Sequence, residues 1–243
     1  MDLLVDIGNS RVKWGSGDDN CLELGAPVIH QGSGFESQLF SIWRALPKSP
    51  RRMAISCVAS KAVLNQVKTI ALDLWPSLSI IQAHSEAEAH GVRNAYEYPE
   101  KLGVDRWLCL IAARHCWSEP VCIVDCGTAI TVDAMDENGC HLGGLICPGL
   151  TLMKQSLSKG TAELRLSAQS GLPRLARCTS DAIDNGALYA AIGLIRGVTS
   201  DFDKPVKLVL TGGDAGEIAS HLDDTSCILP DLVLKGLSLI LAE

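Results

Sequence analysis

The chain lacks a Walker loop: no G-x-x-x-x-G-K-(S/T) occurs in its 243 residues. Any nucleotide it takes must therefore be held by another phosphate device. It lacks a C-x-x-C pair despite ten cysteines, which argues against a zinc ribbon or a thioredoxin-type redox motif. Cys109, Cys122, Cys126, Cys140 and Cys147 fall in apolar runs or hairpins and read as small buried thiols of a reducing cytosol. The six histidines show no zinc spacing and read as structural or exposed. No run of about 18 apolar residues is present, so no helical membrane span is expected. The opening MDLLVDIGNS has no basic n-region and is interrupted by Asp6, so it does not read as a signal peptide. A long Lys/Arg run is absent and the formal net charge is −7, which argues against nucleic acid as the main partner. Arg51-Arg52 reads as a solvated loop end. Low-complexity segments and flexible linkers are also missing.

What is present is a short pattern that occurs twice. Residues 3–14 read LLVDIGNSRVKW and residues 121–135 read VCIVDCGTAITVDAM. Each is an apolar strand, Asp-x-Gly-(Asn/Thr), and a second apolar strand. Asp6, Gly8, Asn9 and Ser10 answer to Asp125, Gly127 and Thr128. Glycine lets backbone N–H groups approach an anion, and small hydroxyl or amide side chains add donors, so such hairpins suit a phosphate tail. The Asp is no anion ligand; a cation arriving with the phosphates suits it. One D-x-G turn is an ordinary hairpin; two copies half a chain apart suggest two related halves. With 47% apolar content the chain can bury a substantial core as one large or two small domains.

Strands are expected at 2–7, 11–15 and near 20–25. A helix follows with Phe35, Leu39, Ile42, Trp43 and Leu46 on one face, closed by Pro47 and Pro50. A buried strand at 53–58, a helix at 61–75 and a strand at 78–82 complete a βββαβα order like that of ribonuclease H. Residues 84–103 lack periodicity, which in a compact domain often marks function. A helix begins at Gly103. The second half restarts with strands at 121–125, 129–135 and 140–147, then helices. One of these runs from about 179 to 200, with Thr179 or Ser180 as its cap. A strand opens onto Gly212-Gly213, and a largely buried helix spans about 231–242.

Three glycine turns thus follow apolar strands: Gly8, Gly127 and Gly212-Gly213. The set resembles the acetate and sugar kinase, heat-shock chaperone and actin superfamily, and in detail the type III pantothenate kinase family. Asp6-Ile7-Gly8-Asn9-Ser10 with Lys13 resembles that family's first phosphate motif. Gly103-Val104-Asp105-Arg106, with Tyr96 upstream, resembles its substrate motif. Asp125-Cys126-Gly127-Thr128, with Thr131 and Asp133, resembles the second phosphate motif. Residues 143–149 (GGLICPG) resemble its glycine-proline stretch. Thr179 resembles the Thr of its N-T-x-x-A-I segment, with Cys178 in place of the Asn.

The resemblance implies an α/β fold of duplicated ribonuclease-H-like domains, 1–116 and 117–243, with an ATP cleft between them. It implies an ATP-dependent kinase that converts pantothenate to 4′-phosphopantothenate, the first step towards coenzyme A. The active form is then a cytoplasmic homodimer, with pantothenate near the subunit interface and no nucleic acid or membrane partner. Asp105 is the expected base for the attacking hydroxyl; alone, it also fits an acid that complements a helix dipole. Arg106 suits the pantothenate carboxylate or a phosphate, or simply a pair with Asp105. Tyr96 is a substrate contact or a core aromatic, and Thr179 a cap, a substrate ligand or both. Asp6 is expected on the magnesium side through waters, Lys13 near the β/γ charge or exposed on its strand, and Gly212 and Gly213 against the adenosine. Asp125 matches the residue that holds a monovalent cation, potassium or ammonium. The apolar run Leu108 to Ala113 is either core or, as the family suggests, part of a two-fold interface. Alternatives are another small-molecule kinase of this fold and a nucleotide-binding regulator without turnover. The Asp105, Asp6 and Asp125 set argues against the regulator.

Overall fold

The computed structural model describes residues 1–18, 21–158, 175–222 and 226–242. Its contacts divide it into two units: Met1–His115 with Asp231–Glu243, and Cys116–Pro230. A break near 116 follows the repeat, but residues 231–243, which chain order places with the second half, group with the first.

The first unit opens with β1 (Asp2–Ile7), β2 (Arg11–Asp18) and β3 (Cys21–Leu24) as an antiparallel meander. After α1 (Phe35–Arg44), β5 (Arg52–Cys57) joins β1 in parallel; after α2 (Lys61–Leu74), β6 (Ser79–Gln82) joins β5. The strand order is β3-β2-β1-β5-β6, and a two-residue strand, β4 (Val28–Ile29), pairs with β2. Residues in a strand alternate between its faces. Leu3, Val5 and Ile7 enter the core beneath α1 and α2, with Leu39, Trp43, Val67 and Ala71, so Leu4 and Asp6 face the other way. Phe35, Leu39 and Trp43, four apart, form the buried stripe of α1, as amphipathic spacing requires. The Ser60 hydroxyl caps α2 by accepting the Val63 N–H.

Residues 84–103 are more ordered than their lack of periodicity suggests. They hold a two-stranded ribbon, β7 (Glu88–Ala89) and β8 (Val92–Arg93), and a 3₁₀ turn at Pro99–Lys101. His90 and Gly91 both have positive φ, as a tight two-residue hairpin requires. Then comes α3 (Val104–Cys116).

The second unit repeats the topology. β9 (Val121–Cys126), β10 (Ala129–Met135) and β11 (His141–Pro148) form the meander; β12 (Lys207–Thr211) and β13 (Cys227–Ile228) add in parallel, in the order β11-β10-β9-β12-β13. Between β11 and β12 lie α4 (Leu150–Ser158) and α5 (Thr179–Ser200), and α6 (Ala215–Ala219) leads to β13. The final helix, α7 (Leu232–Leu241), packs on β1 and β5 of the first unit. Its approach to α3 is close: a Cβ on Gly236 would lie 2.3 Å from the Leu108 carbonyl oxygen.

Two expectations change. Leu108 to Ala113 are all buried within the chain, so this run is core and offers no surface to a second subunit. Arg52 is no solvated loop end: it pairs with Asp2 and donates to the Leu241 carbonyl at 2.8 Å.

Candidate active site

Asp6, near the end of β1, lies in register with Lys13 of β2 and with Ser56 of β5. It is 7% exposed, and the fully buried Ser56 hydroxyl donates to Asp6 Oδ1 at 2.9 Å. The turn is closed by the Gly8 N–H donating to Arg11 O at 3.1 Å. All three carbonyls at its tip are held by one following segment. Gly8 O accepts from His30 Nε2 at 2.8 Å, Asn9 O from Gln31 Nε2 at 3.2 Å, and Ser10 O from the His30 N–H at 3.3 Å. The His30 ring also meets Phe35 edge-on.

Asp125 lies in register with Thr131 of β10 and Thr211 of β12. The Gly127 N–H donates to Ala129 O at 3.1 Å, and the Gly149 N–H donates to Thr128 O at 2.9 Å. A Cβ at Gly149 would lie 2.1 Å from Gly127 O, so only glycine fits there. Gly212 is likewise fixed: its φ is +92°, and a Cβ would lie 2.4 Å from Asp125 Oδ1 and 2.5 Å from Cys126 O. Gly213 is exposed, and a Cβ there would meet nothing within 4 Å. Burial, then the charges of Asp125 and Asp214, pushes the Cys126 thiol up to about 12. The thiol therefore stays protonated near neutral pH and packs rather than acting as a nucleophile.

Gly8 and Gly127 themselves are required by neither φ nor crowding. Neither has a positive φ, and a Cβ would meet nothing nearer than 3.5 Å and 3.6 Å. Internal packing therefore does not explain two glycines at matching points.

The substrate-motif residues come together at the start of α3. Asp105 Oδ1 accepts the Arg106 N–H at 2.8 Å, and a Cβ at Gly103 would lie 2.6 Å from the same oxygen. Val104 is buried beside it. Arg106 is 5% exposed; its Nη1 donates to the Tyr96 hydroxyl at 2.8 Å, and the guanidinium carbon lies 5.7 Å from the Tyr96 ring centre. Asn94, not singled out from sequence, pins this segment: its side chain donates to Glu86 O and Pro99 O and accepts the Tyr96 N–H. An Asn in a Pro- and Gly-bearing loop is the turn signal that could have found it.

Thr179 is exposed and is the first residue of α5, with Cys178 at the cap position and no side-chain capping bond. Neither Thr179 nor Ser180 caps the helix, contrary to expectation; Cys178 Sγ instead lies 3.3 Å from Ser180 Oγ. Two further buried polar contacts in the second unit escaped sequence reading: His141 Nε2 with Asp133 Oδ1 at 2.9 Å, and Lys154 with Asp184 at 3.1 Å.

Among the described residues no three His, Cys, Asp or Glu gather as a metal cage. A buried single carboxylate such as Asp6 fits magnesium that keeps most of its waters. Asp125 Oδ1 and Cys126 O both lie where a Cβ at Gly212 would come within 2.4 Å and 2.5 Å of them, and both are oxygen donors of the kind a weakly held cation takes. No described helix is long and apolar enough to cross a membrane.

These are two repeats of one α/β unit, a ribonuclease-H-like duplication. A Campylobacter jejuni protein described as a Baf family transcriptional activator superposes with a TM-score of 0.64 at 23% identity, over 99% of this chain and 97% of that one. The activator of 2-hydroxyisocaproyl-CoA dehydratase from Clostridium difficile, with bound ADPNP, gives 0.53 at 11% identity, over 98% and 93%. At those identities the likeness is one of fold. Sequence is more specific. The model of the type III pantothenate kinase family matches residues 2–201. The type III pantothenate kinases of Nitrosococcus oceani and Halorhodospira halophila are 40% and 37% identical to it, each over 98% of this chain and over 92% and 96% of their own lengths. The chain belongs to the type III pantothenate kinase family.

Proposed function

We propose that this chain transfers the γ-phosphoryl group of ATP to the primary hydroxyl of pantothenate, giving 4′-phosphopantothenate and opening coenzyme A synthesis. The observation that carries the reading is the Tyr96–Arg106–Asp105 cluster, in a chain that also holds two phosphate hairpins. Asp105 accepts the hydroxyl proton as the oxygen attacks. The same carboxylate takes the Arg106 N–H, which fixes its direction before substrate arrives. Arg106, held by Tyr96, supplies a fixed positive charge matched to the pantothenate carboxylate; Thr179, exposed in the second unit, is read as a further substrate hydroxyl.

The hairpin at Gly8, Asn9 and Ser10, with Lys13, holds the β and γ phosphates. Within the second unit, Gly127 and Thr128 are read as phosphate donors and Gly212-Gly213 as the backbone offered to an adenosine. Magnesium at Asp6 would neutralise charge on the phosphates, and Asp125 with Cys126 O would hold potassium or ammonium. A homodimer in the cytoplasm completes the reading. Leu142, Leu145 and Ile146 of β11, Leu152 and Leu157 of α4, and Tyr189 of α5 are exposed and offer the apolar surface that the buried α3 run does not.

A coupled ADP-release assay with and without pantothenate tests the reading. ADP release that depends on pantothenate is expected; release indifferent to it would overturn the assignment. Run at falling enzyme concentration beside sedimentation, the same assay reads whether turnover follows dimer content.

A further inference from the structure

Gly8, Asn9 and Ser10 present three consecutive carbonyls, and each is bonded by the His30–Gln31 segment. No described peptide bond is cis. In a trans peptide the C=O of one residue and the N–H of the next point to opposite sides. Drawing these carbonyls towards His30 and Gln31 therefore turns the N–H groups of Asn9, Ser10 and Arg11 away from that segment. Successive N–H groups presented in this way form an anion-receiving concavity.

We infer that His30, assisted by Gln31, is a positioning residue for the nucleotide phosphates: it touches no reacting atom and sets the direction of the turn's amides. This rests on the reading of the first hairpin as a phosphate site. A carbonyl can only accept, so the Nε2 facing Gly8 O carries a proton. That nitrogen donates in the neutral Nε2–H tautomer and in the imidazolium alike, so the contact does not depend on the charge of the ring. The ring has a second, separable role, its edge-on contact with Phe35. A sequence search for phosphate ligands passes over His30 because it lies 22 residues from the carbonyl it holds and is joined to it through a strand of two residues.

His30→Phe keeps a ring against Phe35 and deletes the donor; His30→Gln keeps a donor and deletes the ring. Loss of one bond to a half-buried carbonyl predicts a rise in the ATP KM of His30→Phe of roughly 5- to 30-fold, with the pantothenate KM and Tm close to wild type. His30→Gln is expected to recover most of the ATP KM. Calorimetric titration with magnesium-ATP reads the same turn without turnover, and its Kd should rise in parallel for His30→Phe. An unchanged ATP KM and Kd in His30→Phe would overturn the inference. So would a loss shared by both substrates together with a lowered Tm and no recovery in His30→Gln, which marks a purely structural residue. A wild type that binds magnesium-ATP yet leaves pantothenate unphosphorylated would overturn the kinase reading alone, and the Kd of His30→Phe would still decide the role of His30.

Discussion

The two hairpins share one frame and are braced by different materials. In both, an Asp stands next to last in the first strand, a hydroxyl residue neighbours it in the parallel strand (Ser56 or Thr211), and the strand carbonyl after the Asp accepts a backbone N–H, from Val58 in one unit and Asp214 in the other. The tips differ. The first has one more residue and is braced largely by side chains, His30 and Gln31. The second is braced by backbone, the N–H of Gly149. A side-chain brace depends on the identity of His30 and Gln31; the backbone brace demands glycine at 149, because a Cβ there would lie 2.1 Å from Gly127 O. The residue facing the Asp also differs, Lys13 in one and Thr131 in the other. Lys13 places a positive charge at the strand position opposite Asp6, whereas Thr131 places a hydroxyl opposite Asp125. Duplication supplied one frame, and the division between its two copies lies in these side chains.

That division can be broken in graded steps. The first unit alone carries Asp105, so Asp105→Asn gives the largest expected effect. Turnover should fall about 10²–10⁴-fold, the range for a general base, with nucleotide binding largely kept. Asn can still accept the Arg106 N–H, so the fold is preserved; turnover within a few-fold of wild type in steady-state assays would contradict the role.

Next come the paired carboxylates. Asp6→Asn and Asp125→Asn should each lower kcat/KM on the order of 10²-fold by removing a charge that faces a cation, but with different signatures. Asp6→Asn should raise the magnesium concentration needed for half-maximal rate. Asp125→Asn should abolish the gain seen when sodium is replaced by potassium or ammonium. Identical wild-type rates in the three monovalent salts would remove the cation role from Asp125.

Glycine to alanine separates packing from ligand approach and has the smallest expected effect on turnover. Gly149→Ala forces backbone atoms apart and should lower stability by about 2–4 kcal/mol in denaturant melts. Gly8→Ala has room inside the protein, so its melt should match wild type within about 1 kcal/mol while its ATP KM rises. Equal melts for the two variants would erase the distinction between a structural and a ligand-facing glycine.

Much of this was legible in the sequence because it is local. The D-x-G turns show as a pattern that occurs twice, hydrophobic period locates the strands that carry them, and the G-x-D-R start of α3 shows by its resemblance to the family's motif. What was not legible depends on distant pairing. His30 reaches Gly8 through β4, whose two residues carry no period. The apolar run of α3 reads equally as core or interface, because a helix buried on all sides has no polar face to orient it; the burial of Leu108 to Ala113 decides. Thr179 shifted from cap to first helical residue by one position, and capping preference cannot resolve one position when Cys, Thr and Ser stand in a row.

The return of α7 to β1 and β5 has a consequence for biogenesis. The unit that is translated first is sewn shut by residues 231–241, which follow the whole of the second unit. Leu232, Val233, Leu234, Leu237 and Leu241, all buried, are missing from it while the intervening chain is being made. During that interval one face of its central strands awaits cover, and the second unit, whose residues are contiguous, can mature before its elder sibling. A nascent chain of this protein therefore completes itself out of order.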